Sequence, residues 1–232
     1  MNIAVIPARG GSKRIPRKNI RDFCGKPMIA WPITAAQASG LFTHIIVSTD
    51  DQEIASVAQQ WGAEVPFVRP ADLSDDFTGT TPVVAHAVAW CLEQGWPLQA
   101  VCCIYATAPL IQVEDLHKGL ELLQFNSEGY VFSVTSFTST IQRAFRINTS
   151  GKTAMFYPEY FNARSQDIEP AYHDAGQFYW AKPQTWLTKN SGFDGGLPVI
   201  LPRWRVQDID TLEDWQRAEY ICKFLDKEMN FI

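Results

Sequence analysis

A chain of 232 residues, 46% of them hydrophobic and 12% aromatic, can bury a sizeable core and suits one large α/β domain, alone or with a small inserted arm. That apolar content excludes a disordered chain, and a formal net charge of -5 argues against a general nucleic-acid binder, which would be basic overall. No apolar stretch approaches a membrane span, the N-terminus has no charged leader region, and five cysteines without a C-x-x-C pair suggest neither a disulfide framework nor a zinc site, so a cytoplasmic protein with reduced thiols and no membrane partner is expected.

Ile3 to Ile6 forms a short apolar run ending at Pro7, a first strand. Residues 9–19 are polar, basic and glycine-bearing, hence a loop. Pro27 suits the first turn of a helix running to Ser39, with Gly40 as its stop. His44 to Val47 is the next strand; Ser48-Thr49-Asp50-Asp51 supplies a turn and an N-cap for a helix over 52–61, ended by Gly62. Val65 to Val68 reads as a third strand, 69–79 as a polar loop, and a helix follows to about Gln94. Ala100 to Tyr105 is continuously apolar, as in a strand covered on both faces. Pro109 breaks the chain before a helix over 113–124, and Tyr130 to Thr135 is a further strand.

This alternation predicts a Rossmann-like three-layer α/β fold with a mostly parallel sheet, in which ligands bind at the carboxyl ends of the strands. The rhythm breaks over 136–175, an aromatic and polar stretch read as a β-rich arm inserted into the single domain 1–232, suited to pairing with another subunit. Gln177 to Ala181 and Val199 to Leu201 are returning strands. A last helix covers 211–226, with Thr211 as N-cap and Asp214 three residues on, close to a capping box.

The loop after the first strand carries the chemistry. Of residues 9–19, Arg9, Lys13, Arg14, Arg17 and Lys18 are cationic. Cations this close repel, so they are either fully solvated or matched by an anionic partner. Gly10 and Gly11 let backbone N–H groups approach a ligand, and arginine forks and lysine ammonium groups suit phosphate oxygens. The spacing is neither Walker-type nor G-x-G-x-x-G. Its place directly after the first strand is where α/β folds bind phosphates. Far along the chain, Asp208 and Asp210 are spaced to point the same way from an extended segment, which makes a plausible magnesium seat; the bland alternative is that Asp210 or Thr211 only caps the last helix.

Together these features resemble the sugar-acid cytidylyltransferases, the family of the CMP-sialic acid synthetases. The resemblance lies in Ile6-Pro7-Ala8-Arg9-Gly10-Gly11-Ser12-Lys13-Arg14-Ile15-Pro16-Arg17-Lys18-Asn19, in Ser48-Thr49-Asp50, Arg69-Pro70 and Pro109-Leu110, and in Asp208-Ile209-Asp210-Thr211. It covers essentially the whole chain. Segments 24–29, 73–80, 160–167 and 172–179 resemble the branch that activates pseudaminic acid.

The resemblance implies that the anomeric hydroxyl of a nonulosonic acid attacks the α-phosphate of CTP in a Mg2+-dependent reaction of a homodimer. It places Arg9, Ser12 and Lys18 at the triphosphate, beside Gly10, Gly11 and Lys13 read from the loop itself, with Lys18 the foremost candidate to stabilise the transferring phosphate and Arg9 a second catalytic candidate. Asn19, Arg69 and Thr80 fall near the cytidine, and Asp208 and Asp210 on the metal. Asp210 is also a candidate to help deprotonate the sugar. Gln177, Phe178, Tyr179 and the arm residue Arg164, reaching a partner subunit's site, fall near the sugar. His173 reads as a hydrogen-bonded structural residue rather than a base. Ala106-Thr107-Ala108-Pro109-Leu110-Ile111 lacks the serine and arginine common in relatives, which leaves legionaminic, N-acetylneuraminic and 3-deoxy-octulosonic acids open as the sugar. The competing reading is a non-catalytic module whose basic loop binds RNA or an acidic partner.

Overall fold

The computed structural model describes residues 1–125, 129–188 and 194–229. Its centre is a six-stranded sheet in the order β10-β6-β9-β5-β1-β4. The strands are β1 (Asn2–Pro7), β4 (His44–Ser48), β5 (Ala100–Ile104), β6 (Val131–Ser136), β9 (Tyr172–Ala181) and β10 (Leu197–Ile200). β1 runs parallel to both β4 and β5, and β10 parallel to β6, whereas β9 is antiparallel to both of its neighbours. All five residues of β5 are buried, adjacent Cys102 and Cys103 included, which accounts for its unbroken apolar run.

Helices cover both faces. On one, α1 (Ala30–Ser39), α2 (Gln52–Gln60) and α4 (Val113–Leu123) pack on Ile6, Val47, Phe178 and Trp180. On the other, α3 (Thr80–Glu93) and α5 (Pro183–Thr188) pack on Val5, Ile46, Val101 and Tyr179. α6 (Leu212–Met229) lies apart: Trp215, Ala218 and Cys222 close a third apolar cluster over Ile15, Phe23, Met28 and Ile209. Among the described residues no helix is long and apolar enough to cross a membrane.

Several elements differ from the sequence reading. Pro27 does not open a helix; it belongs to a two-residue hairpin, β2 (Asp22–Phe23) with β3 (Lys26–Pro27). Cys24 and Gly25 both take positive φ, 49° and 91°, as a tight two-residue hairpin turn demands. α1 begins three residues later and ends as expected at Gly40, whose φ of 65° forms the cap. The strand expected at 65–68 reduces to one bridge, Glu64 with Ile46. Pro66 has no N–H to continue the ladder, and Val68 is exposed.

Five of the ten residues of β9 lie N-terminal to the expected Gln177 to Ala181, so the strand begins at Tyr172 and the excursion narrows to 137–171. That arm is less β-rich than expected: it holds one short hairpin, β7 (Phe145–Ile147) with β8 (Thr153–Met155), and otherwise single helical turns and loops. The capping box of α6 is present, with the Asp214 N–H donating to Thr211 Oγ1 at 3.2 Å and the Thr211 N–H to Asp214 Oδ2 at 2.8 Å.

Candidate active site

β1 leads to β4 on one side and has β5 on the other, so the strand order reverses between β1 and β5. A crevice opens at the carboxyl ends of strands flanking such a point. Here it is a cleft of about 250 Å3, lined by the basic loop from one side and by Arg69, the start of α3 and Tyr105 to Thr107 from the other. Seven of the residues singled out in the sequence meet there: Arg9, Ser12, Lys13, Lys18, Asn19, Arg69 and Thr80.

The loop is held from below by α2. Asp51 caps that helix, accepting from the Glu53 and Ile54 N–H groups at 3.0 Å each. Its carboxylate also takes both ends of the Arg17 fork, at 2.5 and 2.9 Å, while Arg17 reaches Glu53 at 2.5 Å. These partners hold the Arg17 guanidinium above its ordinary value and bring the Asp51 carboxyl down to about 2. Arg17 is therefore not one of the cations lining the cleft; it staples the loop to α2 through a left-handed backbone, φ 55°. The Gly10 N–H donates to Asp50 at 3.0 Å. A Cβ on Gly10 would stand 2.7 Å from Asp51 Oδ2 and 3.0 Å from its Cβ, whereas one on Gly11 would meet nothing within 4 Å. Gly10→Ala is expected to push the loop off α2, costing roughly 1–3 kcal/mol as overpacking does and weakening the loop's hold on a triphosphate by about tenfold. Thermal melts and titration with a nucleoside triphosphate check this; unchanged affinity would show that the Asp51 contact does not set the loop's shape.

Four loop cations remain at the cleft. Arg9 donates to the Asp75 carbonyl at 2.6 Å and to Asp76 Oδ1 at 2.7 Å, and Lys13 pairs with Asp76 Oδ2. Arg14 contacts Asp210 at 2.7 Å. Asp76 was invisible as a partner in the sequence, because nothing in its loop says which cations the fold brings to it. Its pairs are exposed and hence weak, so a polyanion bearing more charge can displace them. Lys18 is the most enclosed of the four. Its Nζ donates to the Ile209 carbonyl at 2.5 Å and lies 3.8 Å from Asp210 Oδ1. Burial lowers its ammonium below the ordinary lysine value, against the pull of Asp210 and Asp208. Fully buried Ile15 and Ile209 meet in the cluster under α6, so the basic loop and the aspartate segment share one apolar anchor.

Asp208 has an open face to solvent, yet packing around its carboxyl and the neighbouring Asp210 raise it above the usual carboxylate range. Asn19 is buried and donates to the Arg9 carbonyl at 3.0 Å. Arg69 is buried too, with Nε 3.1 Å from Ser48 Oγ and a second nitrogen on the Ser48 carbonyl; burial lowers it to about 10, which leaves it charged at neutral pH.

The expected sugar-side residues are not gathered in the same way. Phe178 is a correction: it is fully buried on the α4 face, where Gly119 lets the helix lie against it and Trp180, so it cannot touch a ligand in the cleft. The Tyr179 ring faces the opposite side, and its hydroxyl is taken by Asp174. Gln177 is buried and donates to the Arg205 carbonyl at 3.2 Å, leaving its Oε1 without a partner among the described residues. Arg164 is exposed on the arm and pairs with Asp167 at 2.7 Å, away from the cleft of its own chain. His173 Nδ1 lies 2.8 Å from the Asp174 carbonyl oxygen, and its ring packs on Phe137.

A three-layer α/β domain with a cationic cleft at its switch point and two carboxylates beside the innermost lysine has the makings of a nucleotidyltransferase. A family model described as cytidylyltransferase matches residues 3–177, and this chain belongs to that family. It is 44% identical over 223 residues, 96% of each chain, to a pseudaminic acid cytidylyltransferase of Campylobacter jejuni. It is 32% identical to a CMP-N,N'-diacetyllegionaminic acid synthase of Legionella pneumophila, covering 95% of this chain and 96% of that one. In fold it resembles a CMP:2-keto-3-deoxy-manno-octonic acid synthetase solved with CTP, at a TM-score of 0.69 and 16% identity, covering 96% of this chain and 98% of the other.

Proposed function

We propose that the protein transfers CMP from CTP to the anomeric hydroxyl of a nonulosonic acid, pseudaminic acid first among them, and releases pyrophosphate. The observation that carries this reading is Lys18. Its ammonium joins the basic loop to the Ile209–Asp210 segment, which supports reading the cations and the carboxylate pair as one site. In the reaction the sugar oxygen forms a bond to the α-phosphorus, and the bond from that phosphorus to the bridging oxygen of pyrophosphate breaks. Arg9 and Lys13 exchange Asp76 for the departing phosphates. Lys18 faces the charge that builds on the transferring phosphate. The hydroxyl proton leaves to solvent or to Asp210.

The donor set fits Mg2+. Among the described residues no group of three or more His, Cys, Asp or Glu could enclose a metal. Magnesium, however, commonly takes one or two carboxylates and completes its shell with water and substrate phosphates. Asp208 and Asp210 would hold it; the Asp208 carboxyl is raised first by its packed surroundings and then by the like charge of Asp210, and a divalent cation would relieve that second cause. When bound, the ion supplies charge neutralisation on the triphosphate.

Two features support a homodimer whose arm completes the partner's sugar site. Phe145, Ile147, Phe156 and Phe161 of the arm are all more than half exposed, apolar surface that a second copy would cover. Among the described residues Arg164 has Asp167 as its one ion-pair partner, and a substrate carboxylate suits its fork. Gln177 Oε1, a buried acceptor lacking a donor, is the remaining sugar-side candidate of the Gln177, Phe178, Tyr179 triplet.

A panel of nonulosonic acids incubated with CTP and Mg2+, with pyrophosphate assayed and the product identified by mass and NMR, tests the reading. The 44% identity against 32% places pseudaminic ahead of legionaminic acid. No pyrophosphate from folded protein with any sugar acid would end it. Mixing inactive Lys18→Ala with Arg164→Ala protein should restore part of the turnover if Arg164 acts across the dimer, because one site of the mixed dimer then has both residues.

A further inference from the structure

The segment that carries Asp208 and Asp210 lies between a single helical turn, Arg203–Arg205, and the start of α6, with no regular structure of its own. Among the described residues, no main-chain group of Gln207, Asp208, Ile209 or Asp210 bonds to another main-chain group. Side chains set its path instead. Upstream, the Arg205 fork grips Asp115 in the first turn of α4 at 2.6 and 3.0 Å, both groups largely buried. In the middle, Ile209 is fully buried and its carbonyl accepts from Lys18 at 2.5 Å. Downstream, the contacts converge on Asp214.

Asp214 does more than a helix cap requires. A capping box needs only its exchange with Thr211. That exchange is present, and the Thr211 hydroxyl adds a bond to Oδ2 at 2.7 Å. Beyond it, Oδ2 accepts the Asp210 N–H at 3.2 Å and Oδ1 accepts the Gln207 amide at 2.9 Å. The same Gln207 nitrogen donates to the Asp208 carbonyl at 2.8 Å. Two peptide planes are gripped as a result. The plane from Ile209 to Asp210 is held by Lys18 on its oxygen and by Asp214 on its N–H. The plane from Asp208 to Ile209 is held on its oxygen by Gln207, which leans on Asp214. A peptide group is planar, so fixing both planes fixes the Cα positions of Asp208, Ile209 and Asp210.

We propose that Asp214 is a positioning residue that sets the spacing of the Asp208 and Asp210 carboxylates, directly through the Asp210 N–H and indirectly through Gln207, and so sets the affinity of the pair for Mg2+. The proposal rests on the reading of that pair as the magnesium seat. Magnesium demands near-ideal octahedral geometry, so carboxylates free to wander would have to be ordered at the moment of binding. Groups that orient a metal's ligands commonly change its affinity by about 10- to 100-fold.

Equilibrium titration with CTP, once in Mg2+ and once in EDTA and without any sugar acid, tests this through the ratio of the two affinities. Wild type should bind CTP more tightly in Mg2+. Asp214→Asn retains one oxygen but sets an amide N–H2 where the second stood, so it cannot hold Gln207 and Asp210 in their present bonds at once. The ratio should fall by about tenfold or more, while affinity in EDTA stays within about twofold of wild type. Thr211→Ala is the control for the cap: it should lower the melting temperature and leave the ratio within about twofold. An unchanged ratio in folded Asp214→Asn overturns the proposal. So does an equal fall in Thr211→Ala, which would make the effect one of helix capping. If Asp214→Asn does not fold, Gln207→Met serves, with the same fall expected and an unchanged ratio again overturning the proposal. Wild type that binds no CTP, or binds it equally in Mg2+ and EDTA, would instead remove the reading of the site on which the proposal rests.

Discussion

Lys18→Ala should lower kcat for CMP transfer by about 100- to 1,000-fold, the usual loss when one preorganised donor to a developing oxyanion is removed. The expectation follows from where the ammonium sits. It is the most enclosed of the four loop cations at the cleft, and it donates to the Ile209 carbonyl of the aspartate segment at 2.5 Å. Arg9 and Lys13 can slide off the exposed Asp76 without disturbing the fold, so their loss should raise the CTP KM more than it lowers kcat. Lys18 should do the reverse. Because burial lowers its ammonium, its protonated form is lost as pH rises through a value below that of an ordinary lysine, and kcat should fall along an alkaline limb set by that value. Lys18→Arg, which keeps its charge, should move the limb upward while retaining part of the rate. Steady-state kinetics across the alkaline range provide the check, with circular dichroism to confirm folding. Turnover within a few-fold of wild type in Lys18→Ala would remove Lys18 from the chemistry.

The basic loop was legible in the sequence because its message is compositional: glycines and cations directly after a strand. The aspartate pair was legible because period-two spacing is local. What the loop cations hold was not legible. Asp76 meets Lys13 at a sequence separation of 63, and only the fold brings that polar loop over the first strand. Arg17 is indistinguishable in sequence from its neighbours, yet Asp51, written into the chain as a helix cap, claims it for structure. The sugar-side triplet contained a usable signal. Gln177, Phe178 and Tyr179 are consecutive in a strand, so alternation forbids all three from facing one ligand, and the middle one goes to the core. At Val65 to Val68 the apolar pattern outweighed Pro66, which decides the matter at a sheet edge. At Pro27 the helix signal outweighed Cys24-Gly25, whose turn makes a hairpin instead.

Asp208→Asn should separate stability from function in opposite directions. The Asp208 carboxyl is raised in the folded chain by its packed surroundings and by Asp210, so the native state binds its proton more readily than the unfolded state does. Stability from this group is present at low pH and is lost as pH rises from the ordinary carboxylate value through the raised one. At neutral pH the ionised carboxylate is then a burden on the fold. Asparagine removes the charge with little change of shape, and the melting temperature should equal or exceed that of wild type, the gain limited by solvent at its open face and by the lost attraction to Lys18. Turnover should nevertheless collapse by about 100-fold or more, because one of two carboxylates that would seat the magnesium is gone. In wild type the same group predicts an acid limb in activity that lies above the ordinary carboxylate range and moves to lower pH as Mg2+ is raised, since metal and proton compete for one site. Melts and pH–rate profiles at two Mg2+ concentrations measure both sides. A less stable but fully active Asp208→Asn would mean that the aspartate is a structural cap beside Lys18, and that the metal, if one is needed, is held elsewhere.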